Sequence, residues 1–454
     1  MLQSINPATG QTVAEHPEMS GREVGAVLRA SARAFAHWSR TDFTERSALL
    51  NTVAEGMMHR REELARLITI EMGKPVQESR AEIEKCARTC QHYARHAAEM
   101  LADRTESLEA TRAIVTHRPL GPLLAIMPWN FPFWQVFRAA APALMAGNTV
   151  VLKHASNTTG CALAIESLFR AAGFPEGTFR VLRLAGSRMT RVVKHRAVAA
   201  VTLTGSTAAG RKIAAAAGAA LKKTVLELGG SDAYVVLDDA DLDLAARVCA
   251  KARLINNGQS CVAAKRFIVV ASVHDAFLEK LVGAMDGFVR GDPLRDDTQL
   301  GPMARPDLRD ELHAQVRRSV DGGARLVLGG EMPEGPGAFY PATVLAEVVP
   351  GMAAFDEETF GPVAAVVRAK DEKHALALAA RTSFGLGAAV FTRDVERGLR
   401  IAREELRAGV CALNTLVASD PRVPFGGVGD SGYGRELGSE GIREFVNTKT
   451  VLVG

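Results

Sequence analysis

The stretch 123–228 constrains this chain most, because short apolar runs alternate there with segments of helical spacing. Residues 123–127, 149–153, 181–184, 199–204 and 225–228 read as strands, and 160–172 and 208–220 as helices. Uninterrupted apolar strands are buried on both faces, and strand–helix alternation winds a parallel sheet with helices on both sides. A second alternating series begins near Tyr234, with helices at 241–256, 274–289 and 309–320 and strands at 266–270, 364–368 and 388–392. Before them, from Gly21 to about Met100, apolar residues recur at helical spacing, interrupted at Pro75. Residues 112–118 read as a strand, with 444–453 as its partner.

At 454 residues the chain is too long for one core, and 47% apolar with 23% charged residues excludes a largely disordered one. The 55 basic and 51 acidic residues are interspersed and accompany no binding motif, so no nucleic-acid partner is expected. Six cysteines do not make a disulfide scaffold at this length. The apolar stretch 119–137 could span a bilayer by length, but Pro119, Pro122, Pro128 and Pro132 would break its backbone hydrogen bonds, so no membrane partner is expected. The first residues have no basic region followed by an apolar run, which predicts a cytoplasmic protein without a signal peptide.

Five places could carry chemistry. Gly205-Ser206 follows a strand and opens a helix, where backbone N–H groups can meet a phosphate, although the turn alone explains the residues equally well. Gly427, Gly429 and Gly432 spell G-x-G-x-x-G with no helix behind them, and are read as a flexible loop. Cys261, in Gly258-Gln259-Ser260-Cys261, is either an inert buried thiol or a nucleophile in a polar setting. Glu227, between two leucines, either pairs structurally or is held as a base. Asn130, in a proline-rich turn, either shapes that turn or donates to an oxyanion. Cys86 with Cys90, and His92 with His96, lie on different helix faces and predict no metal site.

Together Pro128-Trp129-Asn130-Phe131-Pro132, Gly205-Ser206, Glu227-Leu228-Gly229-Gly230, Gly258-Gln259-Ser260-Cys261, Glu358-Thr359-Phe360-Gly361-Pro362 and Pro424-Phe425-Gly426-Gly427 resemble the aldehyde dehydrogenase superfamily, in its order and over nearly the whole chain. The resemblance implies an α/β fold with two doubly wound domains and a small β oligomerisation arm. It divides the chain into a cofactor-binding domain (1–110 and 124–231), a catalytic domain (232–425) and the arm (111–123 and 436–454). It implies Cys261 as nucleophile, Asn130 with the Cys261 backbone N–H as oxyanion donors, Glu227 as base and Glu436 as a secondary proton relay. Trp129, Lys153, Ser156, Gly205, Ser206, Leu228, Glu358 and Phe360 would bind the dinucleotide. The family's members that transfer the acyl group to CoA usually lack the base, so Glu227 favours hydrolysis.

The chain looks most like the short bacterial succinate-semialdehyde dehydrogenases. In that group an arginine matching Arg138 binds the substrate's distal carboxylate, through charge-assisted bonds. Trp134 and Gln135 would share the wall, and Ser419 resembles a carboxylate-binding serine. A second arginine found in some members is replaced by Ile255. Other readings are a broad-specificity aldehyde dehydrogenase, a glutarate-semialdehyde dehydrogenase, and a homologue that kept the fold without turnover. Where NAD-preferring members carry glutamate, this chain has Ser156, which predicts NADP in preference to NAD. The resemblance also implies a homodimer or homotetramer.

Overall fold

The computed structural model describes residues 1–109 and 111–454, so the domain boundary expected at 110 lies outside the described residues. The first alternating series forms a six-stranded sheet, with strands in the spatial order Gly432–Tyr433, Lys223–Glu227, Ala200–Thr204, Pro122–Met127, Thr149–His154 and Phe179–Val181. All neighbours are parallel except the first pair. Successive side chains of a strand point to opposite faces. Leu124 and Val151 therefore pack with Leu28 and Ile213 on one side, while Leu123 and Val150 pack with Phe137 and Ile165 on the other. Each such buried side chain contributes about 1.5–3 kcal/mol, which is why no polar alternation marks these strands.

After Pro122–Met127 the chain adds strands on one side, then returns to add Ala200–Thr204 on the other. That reversal splays apart the loops following the two central strands and opens a crevice at their C-terminal ends. The motifs Pro128-Trp129-Asn130 and Gly205-Ser206 are those two loops.

The second series forms a seven-stranded sheet in the order Arg325–Leu328, Thr343–Ala346, Val363–Ala369, Arg266–Val270, Ala233–Val236, Gly387–Phe391 and Val410–Leu413. Only the edge strand Arg325–Leu328 runs antiparallel to its neighbour. A three-stranded antiparallel sheet joins Val446–Val453, Arg112–Pro119 and Arg104–Ser107, with Val446 opposite Pro119 and Val453 opposite Arg112. Among the described residues no helix is long and apolar enough to cross a membrane.

Two expectations are corrected. The strand read at 181–184 is Phe179–Val181. Arg180 interrupts the apolar run, but this is an edge strand and its guanidinium pairs with Glu166 at 3.1 Å. The glycines at 427–432 are not a flexible loop: Gly432–Tyr433 pairs with Leu226 and Glu227. A Cβ on Gly432 would fall 2.0 Å from the Leu226 carbonyl oxygen, so only glycine permits this pairing.

Candidate active site

Cys261 follows a tightly held turn. Asn256 and Asn257 both adopt left-handed backbone, φ 55° and 56°, which asparagine tolerates better than other side-chain-bearing residues. Asn256 Nδ2 donates to the carbonyls of Asn130 (2.7 Å) and Gln259 (3.0 Å), and Asn257 Nδ2 to those of Gly73 (2.9 Å) and Pro302 (2.8 Å). A Cβ on Gly258 would lie 2.3 Å from the carbonyl carbon of Gly361, so two of the recognised motifs meet backbone to backbone. Neither asparagine was expected to matter; the local signal was the turn-forming Asn-Asn-Gly run.

The half-exposed Cys261 lines two cavities, one of about 270 Å³ and one of about 100 Å³. Burial pushes its thiol up to about 11, against the opposing pull of Arg138 and Lys265. Lys265 Nζ donates to the Cys261 carbonyl at 2.8 Å and lies 3.5 Å from Glu358.

Asn130 is oriented from behind. Gln135 Nε2 donates to its Oδ1 at 3.0 Å, so its Nδ2 faces the Gln259 carbonyl at 3.0 Å. That bond uses one of two amide hydrogens and leaves the second available at the cavity wall. Gln135 is the second residue of the helix Trp134–Met145. Buried Glu82 accepts from the backbone N–H groups of Phe133 (2.8 Å) and Trp134 (2.9 Å), fixing the start of that helix, and also pairs with buried Lys74. A carboxylate at a helix N-terminus satisfies orphan donors and the helix dipole together.

The structure brings Glu227, Arg138 and Glu436 into one buried cluster. Arg138 Nε pairs with Glu436, its guanidinium lies 4.8 Å from the centre of the Phe425 ring, and Thr202 Oγ1 donates to Glu436 at 3.4 Å. Neither Glu227 oxygen has a hydrogen-bond partner among the described residues, and a Cβ on Gly426 would lie 2.6 Å from its Oε1. Burial raises both carboxyls, Arg138 opposes this, and Glu436 further disfavours ionisation of Glu227. One guanidinium thus serves as counter-charge to two buried carboxyls. Glu227 lines neither cavity.

The larger cavity occupies the crevice of the first sheet, lined by Trp129, Asn130, Gly205, Ser206, Leu228, Glu358 and Phe360. The Trp129 and Phe360 rings meet edge to face at 5.8 Å, and Gly230 N–H donates to Glu358 at 2.9 Å. Ser206 caps the helix Thr207–Gly218, its Oγ accepting from Ala209 N–H at 3.3 Å. A Cβ on Gly205 would meet nothing closer than Leu203 at 3.7 Å, so the glycine spares room in the crevice and relieves no internal clash. A helix N-terminus beside such room suits a phosphate. Buried Lys153 is the penultimate residue of the neighbouring strand Thr149–His154, and half-buried Ser156 opens the turn after it, outside this cavity but along the same sheet edge. These residues fit an extended dinucleotide.

The smaller cavity is lined by Trp134, Gln135, Arg138, Ser419 and Cys261, with Ile255, Val262 and Leu416 as an apolar wall. It also holds Lys85, which the sequence reading missed. Lys85 Nζ donates to Ser419 Oγ at 3.1 Å and sits 4.0 Å from the centre of the Trp134 ring.

The chain matches the aldehyde dehydrogenase family model over residues 1–451. It is 48% identical over 448 residues to a succinate semialdehyde dehydrogenase, NAD(P)+, of Escherichia coli (strain K12), covering 99% of this chain and 97% of that one. It is 45% identical over 448 residues to an NADP(+) succinate-semialdehyde dehydrogenase of Deinococcus radiodurans, covering 99% and 94%. The solved succinic semialdehyde dehydrogenase of Streptococcus pyogenes, in complex with NADP+ as the cofactor, superposes with a TM-score of 0.97 at 34% identity, covering 99% of each chain. The chain belongs to the aldehyde dehydrogenase family.

Proposed function

We propose that the protein oxidises succinate semialdehyde to succinate with NADP in preference to NAD, through a thioester on Cys261. The observation that carries this reading is the position of Cys261 at the junction of two cavities, one suited to a dinucleotide and one lined by cationic side chains.

The Cys261 thiolate adds to the aldehyde carbon, and the Cys261 N–H with the second Nδ2 hydrogen of Asn130 stabilises the oxyanion. Such a donor is worth about 10²–10³ in rate. A bound nicotinamide dinucleotide supplies the hydride acceptor that turns this adduct into a thioester. Glu227 then takes a proton from the water that attacks the thioester; its raised pKa suits a base that must also release that proton. Glu436 and Arg138, beside it, provide the route and the counter-charge. Trp134, Gln135, Arg138 and Ser419 shape the substrate wall, and Trp129, Lys153, Ser156, Gly205, Ser206, Leu228, Glu358 and Phe360 hold the dinucleotide. Residues 1–110 with 124–231 act as the cofactor domain, 232–425 as the catalytic domain, and 111–123 with 436–454 as the arm of a homodimer or homotetramer.

Initial rates with succinate semialdehyde, with hexanal as a neutral control, test the reading under NADP and under NAD. A higher kcat/KM on the carboxylated aldehyde with NADP supports it. Equal or higher kcat/KM on hexanal contradicts the substrate, and a preference for NAD contradicts the cofactor.

A further inference from the structure

The cavity beside Cys261 presents two cations, and they are not equivalent. Arg138 is spent inward: its guanidinium pairs with Glu436 and also neighbours Glu227, so its charge is offset before any substrate arrives. Lys85 has no ion pair among the described residues. Its ammonium donates one hydrogen to Ser419 Oγ at 3.1 Å and rests over the Trp134 ring at 4.0 Å. An aromatic face attracts a cation without neutralising it. Two of the three ammonium hydrogens remain to be donated.

Ser419 points the same way. Its Oγ accepts from Lys85 Nζ at 3.1 Å and from Trp134 Nε1 at 3.2 Å, which uses both lone pairs. The hydroxyl hydrogen must then be donated elsewhere. Lys85 and Ser419 thus keep donor hydrogens that no acceptor among the described residues takes up, on the wall of a cavity that also holds the thiol. Ile255, Val262 and Leu416 line the same cavity and suit the methylenes between two polar ends.

We propose that Lys85 is a specificity-determining residue, whose ammonium binds the distal carboxylate of a half-aldehyde together with Ser419 while the aldehyde reaches Cys261. This rests on the proposed oxidation of a carboxylated aldehyde. Lys85 is carried there by the helix Val76–Met100, packed against the helix Trp134–Met145. The groups facing Lys85 are Arg138 from that second helix, Asp420 from the loop after Ser419, and Glu82 and Cys86 from its own helix, with Cys261 across the cavity. Burial first, and Arg138 second, bring its ammonium down to about 8. It is charged below that pH and loses its charge above it, while the substrate carboxylate stays ionised throughout.

The test compares wild type, Lys85→Met and Lys85→Arg at saturating NADP, each with succinate semialdehyde and with hexanal. In Lys85→Met the ratio of kcat/KM for succinate semialdehyde to that for hexanal falls about tenfold or more, mainly through KM, as expected for about 1.4 kcal/mol of lost charge-assisted binding. Lys85→Arg restores most of the ratio. An unchanged ratio in Lys85→Met overturns the proposal. Preference of the wild type itself for hexanal is a separate result, which removes the substrate reading first. If Lys85→Met does not fold, the wild type decides. Its KM for succinate semialdehyde relative to hexanal rises between pH 7 and 9.5 if Lys85 binds the carboxylate; a flat ratio overturns the assignment, because titration of the shared nucleophile cancels in it.

Discussion

At the scale of single residues, the chemistry depends on how each group is held. The Cys261 thiol, pushed up to about 11, is mostly protonated at neutral pH in the free enzyme. The thiolate is the reactive form, so the rate of Cys261 alkylation by iodoacetamide should rise about tenfold per pH unit from 7 to 9. A plateau already at pH 7 would mean that Arg138 and Lys265 outweigh burial. Ser156 sets the second expectation: Ser156→Glu places a negative charge where a 2′-phosphate would lie. The NADP/NAD ratio of kcat/KM should fall about tenfold or more, and an unchanged ratio would remove this residue from cofactor choice. Cys261, Glu227 and Asn130 were legible in sequence because residue type and neighbours together form recognisable motifs. Lys85 was not, because on a helix of mixed charge it reads as one more solvated cation, and only packing against Trp134 and Ser419 turns it inward. The pairing of Arg138 with Glu436 was hidden for the same reason: the two are far apart in the chain and neither motif implies the other.

At the scale of elements, the helix Trp134–Met145 carries Gln135 and Arg138 into the site, and Glu82 holds its first turn. Glu82→Ala removes the acceptor for two backbone donors and leaves Lys74 buried without its partner. Breaking a buried pair in this way costs about 3–5 kcal/mol, so the variant should lose both Tm and kcat/KM. An unchanged Tm would show that water or a neighbour replaces the carboxylate. Most interior strands were readable because burial on both faces makes them continuously apolar, although the four-residue interior strand Thr343–Ala346 was not read. The edge strands were read less well: Phe179–Val181 was displaced by Arg180, and Arg325–Leu328 escaped notice because an edge tolerates charge and half exposure. The short strand Gly432–Tyr433 was misread as a mobile loop, since nothing local signals that its glycine exists to approach Leu226.

At the scale of the molecule, the six-stranded and seven-stranded sheets bring their loops together at Cys261. The first sheet contributes the crevice at its reversal point, the second the turn before the thiol, and the segment after the second sheet returns Glu436 to the cluster. Among the described residues the strand Val446–Val453 pairs along one side only, and it exposes Leu452 at 67%. An open strand edge with Val451 and Leu452 exposed near its end favours association, so light scattering should give the mass of a dimer or tetramer, and Leu452→Lys should shift it toward the 48.4 kDa monomer. A wild-type monomer would contradict the arm's role. The central claim is covalent catalysis at Cys261 with Glu227 as the base, and intact-protein and peptide mass spectrometry of Glu227→Gln, mixed with NADP and succinate semialdehyde, tests it most directly. A burst of about one NADPH per subunit and a succinyl thioester on the peptide carrying Cys261 are expected. Full turnover with no adduct there, or an adduct on another cysteine, would contradict it.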